Sequence, residues 1–339
     1  MKIVSPMATG NGAYIIHKAL EDKIVGYQVK SYPPKLTYVP FFLKKAVNTK
    51  NANLIHTTPD YACFFQHRTT PSIITFHNYI LDPWMTPYSS LLQNIHYKTD
   101  LRLFTKLAVT KANVITAVSR FTAELARKDL PTNIPIKVIY NGVDHNFFRP
   151  TTPKKNYPKK IIKVLFCGNL TQRKGAQWLI PIANSLKPNI KIIYTAGLRT
   201  RNSLPSHPQL DCLGAIPHQA MPAIYQSVDI LLFPTVREGY GLAAAEAMAC
   251  GLPVVATDCS SLPELIDEGQ GGFLCRMGNV SEFAEKIQLL ADNPAQRYEM
   301  GEYNRSKIEE RFTVDRMVRQ YTELFEKTLE NSKHFTKNS

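Results

Sequence analysis

Short β-branched runs alternate with helical stretches along almost the whole chain, and this alternation limits the possible folds more than any other feature. Strands separated by helix-length segments join one sheet through crossover connections, so the pattern demands parallel sheets covered by helices. In the front half it predicts strands over residues 2–5, 53–57, 72–77, 113–117 and 137–140. Arg149 to Lys160 then carries three prolines, four lysines and almost no apolar side chain, which marks a linker. A second series follows, with strands over 161–167, 191–196, 210–213, 229–233 and 253–257. Helices are predicted over 175–186, 221–227, 242–250, 262–268 and 280–292.

The chain therefore reads as α/β, with two doubly wound parallel-sheet domains over 1–150 and 161–312 joined by a linker over 151–160. A helix within 313–330 has an apolar stripe through Val314, Met317 or Val318, Tyr321, and Leu324 or Phe325, so it must dock. Residues 331–339 read as a polar, frayed tail.

At 339 residues, 44% of them hydrophobic, the chain has the size and composition of a two-domain globular protein. Its longest apolar runs, such as 230–234, are far too short to span a bilayer, and its start lacks a signal-peptide pattern. Six scattered cysteines include no C-x-x-C pair, which suits reduced, mostly buried thiols in a cytosolic protein. The net charge of +14 is uneven: residues 1–155 hold 20 Lys and Arg against 8 Asp and Glu, the remainder 21 against 19. Two readings fit this excess, an anionic partner docking on the front half or a basic surface that serves only solubility.

The run from Arg237 to Asp258, REGYGLAAAEAMACGLPVVATD, concentrates the chemistry. Glu238 and Glu246 lie eight residues apart around a Gly-Tyr-Gly turn, and Gly239 and Gly241 let backbone amides approach a ligand. A helix opening near Leu242 aims its positive end at the same place, a cradle for a sugar joined to a phosphate. The loop from Gly168 through Asn169 to Arg173 and Lys174 ends the first strand of the second series. Loops at the carboxyl ends of such strands face a cleft, and the two cations suit a phosphate. They would lie at the start of a helix, where cations are unfavourable against the dipole, and that cost argues for a bound anion.

In the front half, Gly10 and Gly12 supply two glycines of a dinucleotide fingerprint, but Ile15 holds the third position. They form either a loop with amides facing a cleft or an ordinary strand–helix turn. His77 ends a predicted strand and can point into the cleft; His17, His56, His67, His96 and His145 lack that placement. Lys98, Arg102 and Lys106 recur every four residues on one helical face within 91–111. That helix would rest on an anionic membrane or pack on its own sheet. The basic excess lacks the interleaved aromatics of a nucleic-acid module.

Together these segments resemble the retaining glycosyltransferases of family 4. The resemblance rests on Glu238-x7-Glu246, Gly168 with Arg173-Lys174-Gly175, Val138 to Asp144 with Phe147, Ala117-Val-Ser119 and the His77 strand, in family order. It implies the GT-B fold, two Rossmann-like domains facing a cleft with the C-terminal helix crossing back to the N-terminal domain. By resemblance Glu246 holds the ribose of a nucleotide-sugar, and Glu238 the hydroxyls of the transferred hexose. The amides of Gly239, Tyr240, Gly241 and Leu242 bind sugar or phosphate. Lys174, helped by Arg173, neutralises the departing diphosphate, Gly10 to Gly12 border it, and His77 approaches sugar and acceptor. The family has Arg where this chain has Asn169, so Arg173 substitutes for it or phosphate binding is weaker. No D-x-D triad occurs, so neither metal nor other cofactor is expected. The acceptor is a glycan or lipid-linked molecule, with the protein cytoplasmic or peripheral on the inner membrane face. Two other readings are a GT-B nucleotide-sugar epimerase or hydrolase, and a non-catalytic nucleotide-sugar-binding module docked on anionic membrane.

Overall fold

The computed structural model describes residues 1–130, 132–151, 160–197 and 204–337, so residues 152–159 of the expected linker lie outside it. The chain divides into two compact units, Met1–Gly142 with Val314–Ser339, and Val143–Thr313.

In the first unit the chain runs β1 (Ile3–Ala8), α1 (Gly12–Lys23), β2 (Tyr27–Tyr32), α2 (Leu43–Ala46), β3 (Leu54–Thr57) and β4 (Ser72–Phe76). It continues through α3 (Leu91–Lys98), α4 (Asp100–Thr110), β5 (Val114–Ala117), α5 (Arg120–Asp129) and β6 (Ile136–Val138). Six parallel strands lie in the order β2-β1-β3-β4-β5-β6. The order reverses between β1 and β3, so loops at the carboxyl ends of these strands open the switch point.

The second unit contains β7 (Ile162–Phe166), α6 (Leu179–Asn184), β8 (Ile190–Tyr194), β9 (Leu210–Cys212), α7 (Met221–Ser227) and β10 (Ile230–Phe233). There follow α8 (Leu242–Ala249), β11 (Val254–Thr257), α9 (Leu262–Leu265), β12 (Gly272–Cys275), α10 (Val280–Asp292) and α11 (Pro294–Arg311). Its six parallel strands lie in the order β12-β11-β10-β7-β8-β9, reversing between β7 and β10. Phe166, Phe283, Ile182, Ile192 and Leu290 fill one side of this sheet, each at most 1% exposed. At roughly 1.5–3 kcal/mol per buried side chain, such residues supply the main drive for the unit.

Two strands and, in the second unit, one helix escape the sequence pattern. β2 is a sheet edge whose middle residues face outward, so Tyr-Gln-Val-Lys-Ser-Tyr shows no apolar run. β12, the opposite kind of edge in the second sheet, has only four residues and opens on glycine. The long helix α11 buries polar groups instead of an apolar stripe. Asn304 donates to the carbonyls of Leu252 and Gly271 at 2.8 and 2.6 Å, and Lys307 pairs with Asp267 at 2.7 Å. The helix expected over 91–111 is broken at Thr99, whose backbone (φ −106°, ψ −100°) ends α3 and begins α4. The last helix, α12 (Val314–Lys337), continues seven residues past the expected end at Glu330.

α12 packs within the first unit. Tyr321 and Phe325 lie against His56 with ring centroids 5.1 and 5.2 Å away. His56 belongs to a buried polar cluster with His17 and Tyr27. The Tyr27 hydroxyl lies 2.8 Å from His17 Nδ1 and 2.7 Å from His56 Nδ1. His56 Nε2 lies 2.7 Å from Thr75 Oγ1, which meets Thr116 Oγ1 at 2.6 Å. Ser5 Oγ lies 2.7 Å from His17 Nδ1, and His17 Nε2 is 3.0 Å from His77 Nε2. Burial foremost, with the neighbouring imidazoles, holds His17 and His56 well below the ordinary histidine range, and burial takes His77 to about 3.

These rings fold neutral, whereas in the unfolded chain they gain protons below pH 6.5 or so. Each proton bound only by the unfolded state tilts stability by about 1.4 kcal/mol per pH unit. Three rings thus contribute stability that is complete above that pH and is lost as the pH falls towards their folded values. Asp60, pushed up to about 6 by burial, and His218, raised by Glu246, act in the opposite sense but are fewer. The urea midpoint is therefore expected to fall between pH 7 and pH 5, before most carboxylates titrate. A level or rising midpoint would contradict neutral burial.

Candidate active site

In the second unit the loops that follow β7 and β10 leave the sheet on either side of the switch point, and they are stitched together. Val236 N donates to the Arg173 carbonyl at 2.9 Å, and Thr235 Oγ1 lies 3.1 Å from the same oxygen. Gly175 adopts the left-handed conformation (φ +81°), and a Cβ there would stand 1.9 Å from the Pro234 carbonyl oxygen. Any other residue would push the two loops apart. Gly168 starts the first loop, with its amide donating to Thr195 Oγ1 at 3.1 Å. At Asn169 the carbonyl accepts from Thr171 N at 2.8 Å.

The helix expected from residue 175 opens only at Leu179, after two short 3-10 turns over Gln172–Lys174 and Ala176–Trp178. The left-handed Gly175 separates those turns, so Arg173 and Lys174 precede no helix directly. The dipole cost inferred from the sequence therefore does not apply to them. Their partners come instead from the second loop. Lys174 Nζ donates to the Glu238 carboxylate, which also accepts from Thr235 Oγ1 at 2.9 Å. Arg173 Nη1 reaches the Arg237 carbonyl at 3.5 Å.

Glu238 is 9% exposed. Burial pushes its pKa upward, but the charges of Lys174 and Arg173, with hydrogen bonds from Lys174 and Thr235, prevail and hold it below the ordinary range. It remains a carboxylate at neutral pH, able to accept hydrogen bonds from hydroxyls and unsuited to donating a proton. Its backbone is fixed as well: the amide donates to Ser260 Oγ at 3.0 Å, and the carbonyl accepts from Ser261 Oγ at 3.2 Å.

Beyond Gly239 and Tyr240 the chain turns at Gly241, left-handed at φ +96°, and α8 begins at Leu242 with no side-chain cap. The helix start therefore presents its amides and positive end beside the Lys174–Glu238 pair. Glu246 lies one turn further along. It accepts from the buried Tyr225 hydroxyl at 2.9 Å, and His218 Nε2 stands 3.6 Å from its other oxygen. Hydrogen bonding to Glu246 raises the pKa of His218 against the opposing effect of burial. The His218 ring stacks on Phe147, with centroids 5.8 Å apart and planes at 21°. This corner offers a carboxylate and an aromatic platform, the chemistry that would hold a ribose and a flat base.

The other expected residues belong to the first unit. Gly10 has φ +78°, and Gly12 opens α1, whose Asn11 cap accepts from Tyr14 N at 2.8 Å. His77 follows β4, half-buried, with its Nδ1 sealed from solvent and lacking a hydrogen-bond partner among the described residues. His17 and His56, given no role in the sequence reading, join it in one cluster. Lys98, Arg102 and Lys106 do not form one continuous cationic face. The break at Thr99 separates Lys98 from the others, and Arg102 is forked onto the Asp129 carboxylate.

Sequence reasoning also missed Thr235, Tyr225 and His218. Thr235 stands two residues past an apolar strand and three before Glu238, a spacing that could have drawn attention to it. Tyr225 reads as a core tyrosine on a short helix, and only the packing reveals Glu246 at its hydroxyl. Among the described residues no helix is long and apolar enough to cross a membrane.

Residues 162–293 match the family described as Glycosyl transferases group 1, and residues 4–147 match Glycosyltransferase Family 4. Among curated proteins, N-acetyl-alpha-D-glucosaminyl L-malate synthase of Bacillus anthracis is 27% identical over 68% of this chain and 63% of its own length. The capsular polysaccharide biosynthesis glycosyltransferase CapM of Staphylococcus aureus is also 27% identical, over 63% of this chain and 61% of its own. The match thus spans a little over three-fifths of these relatives. Alpha-maltose-1-phosphate synthase of Mycolicibacterium smegmatis is 23% identical over 94% of this chain and 89% of its own length. Sucrose-phosphate synthase of Thermosynechococcus elongatus shares the fold at a TM-score of 0.80 and 18% identity, covering 98% of this chain and 100% of that one. HepE of Anabaena, solved with UDP-glucose, shares it at 0.77 and 21%, covering 96% and 100%. The architecture is that of the GT-B glycosyltransferases, two units each built on a sheet of six parallel strands. The chain belongs to glycosyltransferase family 4.

Proposed function

We propose that this chain transfers a hexose from a nucleoside diphosphate sugar to a hydroxyl of a glycan or lipid-linked acceptor, with retention at the anomeric carbon. The observation that carries this reading is the Lys174–Glu238 pair beside the start of α8, with Arg173 on the same loop and Glu246 one turn away. Glu246 takes the ribose hydroxyls and Glu238 the sugar hydroxyls. Lys174, Arg173 and the amides of Gly239 to Leu242 face the diphosphate. As the bond from the anomeric carbon to the phosphate oxygen breaks, the sugar becomes oxocarbenium-like and negative charge grows on the leaving oxygen. Preorganised cations and amides stabilise that charge directly. The acceptor hydroxyl attacks from the same face and passes its proton to the departing phosphate. Glu238 stays ionised throughout and need not form a covalent intermediate, unlike the nucleophile of a retaining glycosidase. The cations do the work that a metal does elsewhere, so EDTA leaves the rate unchanged.

UDP-glucose, the ligand solved with HepE, is the first donor to try. Lys174→Ala is expected to lower kcat by roughly 10²–10³-fold, the scale of losing one stabilising donor in such a site. Glu238→Gln is expected to lose most transfer with folding intact by circular dichroism. Undiminished transfer in both variants would remove the site assignment. NMR of the product reads the anomeric configuration, and free sugar without acceptor product would point to hydrolysis.

We also propose that the first unit docks on an anionic membrane, through a different surface from the one the Lys-Arg-Lys spacing suggested. Tyr38, Phe41 and Phe42 are exposed beside Lys35, Lys44 and Lys45. Phe41 meets Phe64, and Phe64 meets Phe104 of α4, where Leu103 and Leu107 are exposed. Apolar residues that enter the headgroup region, ringed by lysines that attract anionic lipid, match a bilayer surface. In co-sedimentation with phosphatidylglycerol vesicles, Phe41→Ser with Phe42→Ser is expected to abolish binding. Lys44→Gln with Lys45→Gln is expected to weaken it and flatten its salt dependence. Wild-type binding by both double variants would refute the assignment.

A further inference from the structure

Counting protons in the histidine cluster leads to a role for residues that touch no substrate. His17 Nε2 and His77 Nε2 stand 3.0 Å apart, so two neutral rings must share one proton along that line. If the proton belongs to His17, then His17 Nδ1 is a bare acceptor, supplied by the hydroxyl of Ser5 or Tyr27. His77 then carries its own proton on Nδ1. If the shared proton belongs to His77, His17 Nδ1–H donates to Tyr27 or Ser5, and His77 Nδ1 is the bare acceptor. Tyr27 links this choice to His56, since its single hydroxyl proton lies between His17 Nδ1 and His56 Nδ1. His56 in turn continues to Thr75 and Thr116. In both arrangements each ring keeps one proton and the Ser5 and Tyr27 hydroxyls turn to donate or accept, so neither leaves a charge in the interior.

The outer end of this chain is His77 Nδ1, sealed from solvent and unpartnered among the described residues. A polar atom left unsatisfied there is costly unless something binds it. We propose that His17 is a positioning residue that holds the His77 ring and sets its tautomer. Backed by Tyr27 and His56, it lets His77 Nδ1 meet a sugar or acceptor hydroxyl as donor or acceptor without the cluster becoming charged. The inference rests on the reading of His77 as a residue that contacts ligand. A neighbour of this kind fixes a ring as a carboxylate or carbonyl does at a metal-bound histidine. Here the fixing group is another imidazole, which can reverse the direction of donation.

The test uses the full chain labelled with ¹⁵N at histidine, together with transfer assays. At pH 7 wild type is expected to show one protonated and one bare Nε2 for the His17–His77 pair. His17→Phe is expected to change the His77 pattern and lower kcat by about 10–100-fold, the scale of a small misplacement at a reacting centre. KM for the donor is expected to stay within about threefold, because the ring still lies near its place. His17→Gln, whose amide reaches the former Nε2 position, is expected to restore most of kcat. Tyr27→Phe keeps the ring shape and removes only the hydroxyl, so it serves if His17→Phe does not fold; it too is expected to change the His77 pattern. Wild-type kcat together with unchanged His77 signals in His17→Phe, or unchanged signals in a folded Tyr27→Phe, would overturn the positioning role. Full transfer by His77→Ala would instead overturn the contact reading of His77, while the shared proton seen in the wild type would stand.

Discussion

The hydrogen bond from Val236 to the Arg173 carbonyl, with Gly175 seated against the Pro234 carbonyl, joins two loops that leave the sheet on opposite sides of its switch point. The parallel sheet supplies loops at the right edge, but loops of this length have many conformations. The stitch selects one of them. It sets Lys174 against Glu238, two residues 64 positions apart in the chain. Thr235 then completes the pair by lying within reach of both the Arg173 carbonyl and the Glu238 carboxylate. An ion pair as buried as this contributes little net stability, because desolvation offsets most of the attraction. In the proposed reaction its use is to keep a cation and a carboxylate in register for a ligand that brings both charge and hydroxyls.

The two glutamates of the Glu-x7-Glu run end in different surroundings even though both flank one turn. Glu238 sits before the left-handed Gly241 and takes cations and a hydroxyl; Glu246 sits within α8 and takes a phenol and an imidazole. Local conformation therefore divides their work. The site also keeps its free thiols subdued: burial raises Cys167 and Cys259 to about 11, so neither is a nucleophile at neutral pH.

Much of this was legible in the sequence for a physical reason. Strands buried on both faces print continuous apolar runs, and the eight inner strands are all legible from them; of the four edges, β6 and β9 show in the sequence and β2 and β12 do not. Family 4 membership and the GT-B architecture came from motifs whose residues are held by backbone geometry, such as Gly175 and Gly241. The missing strands are edges, where one face needs no apolar residue, and α11 is held by side-chain donors reaching backbone carbonyls. Periodicity cannot show either. The electrostatic argument at Lys174 failed because one left-handed glycine postponed a helix by four residues. Histidines 17 and 56 were passed over because each lies in a locally ordinary helix or strand. Their meaning arises only where α1 and the strands β1 to β5 converge.

The place of α12 gives the first unit an unusual history. Tyr321 closes over His56 and Thr75, the latter 246 positions earlier in the chain. On the ribosome, β1 to β6 emerge long before the helix that covers their polar centre. The second unit, continuous in sequence, can complete its sheet in the interval. Nascent first units must therefore wait with an uncovered histidine cluster, and the order of synthesis makes the inserted unit the first that can become native.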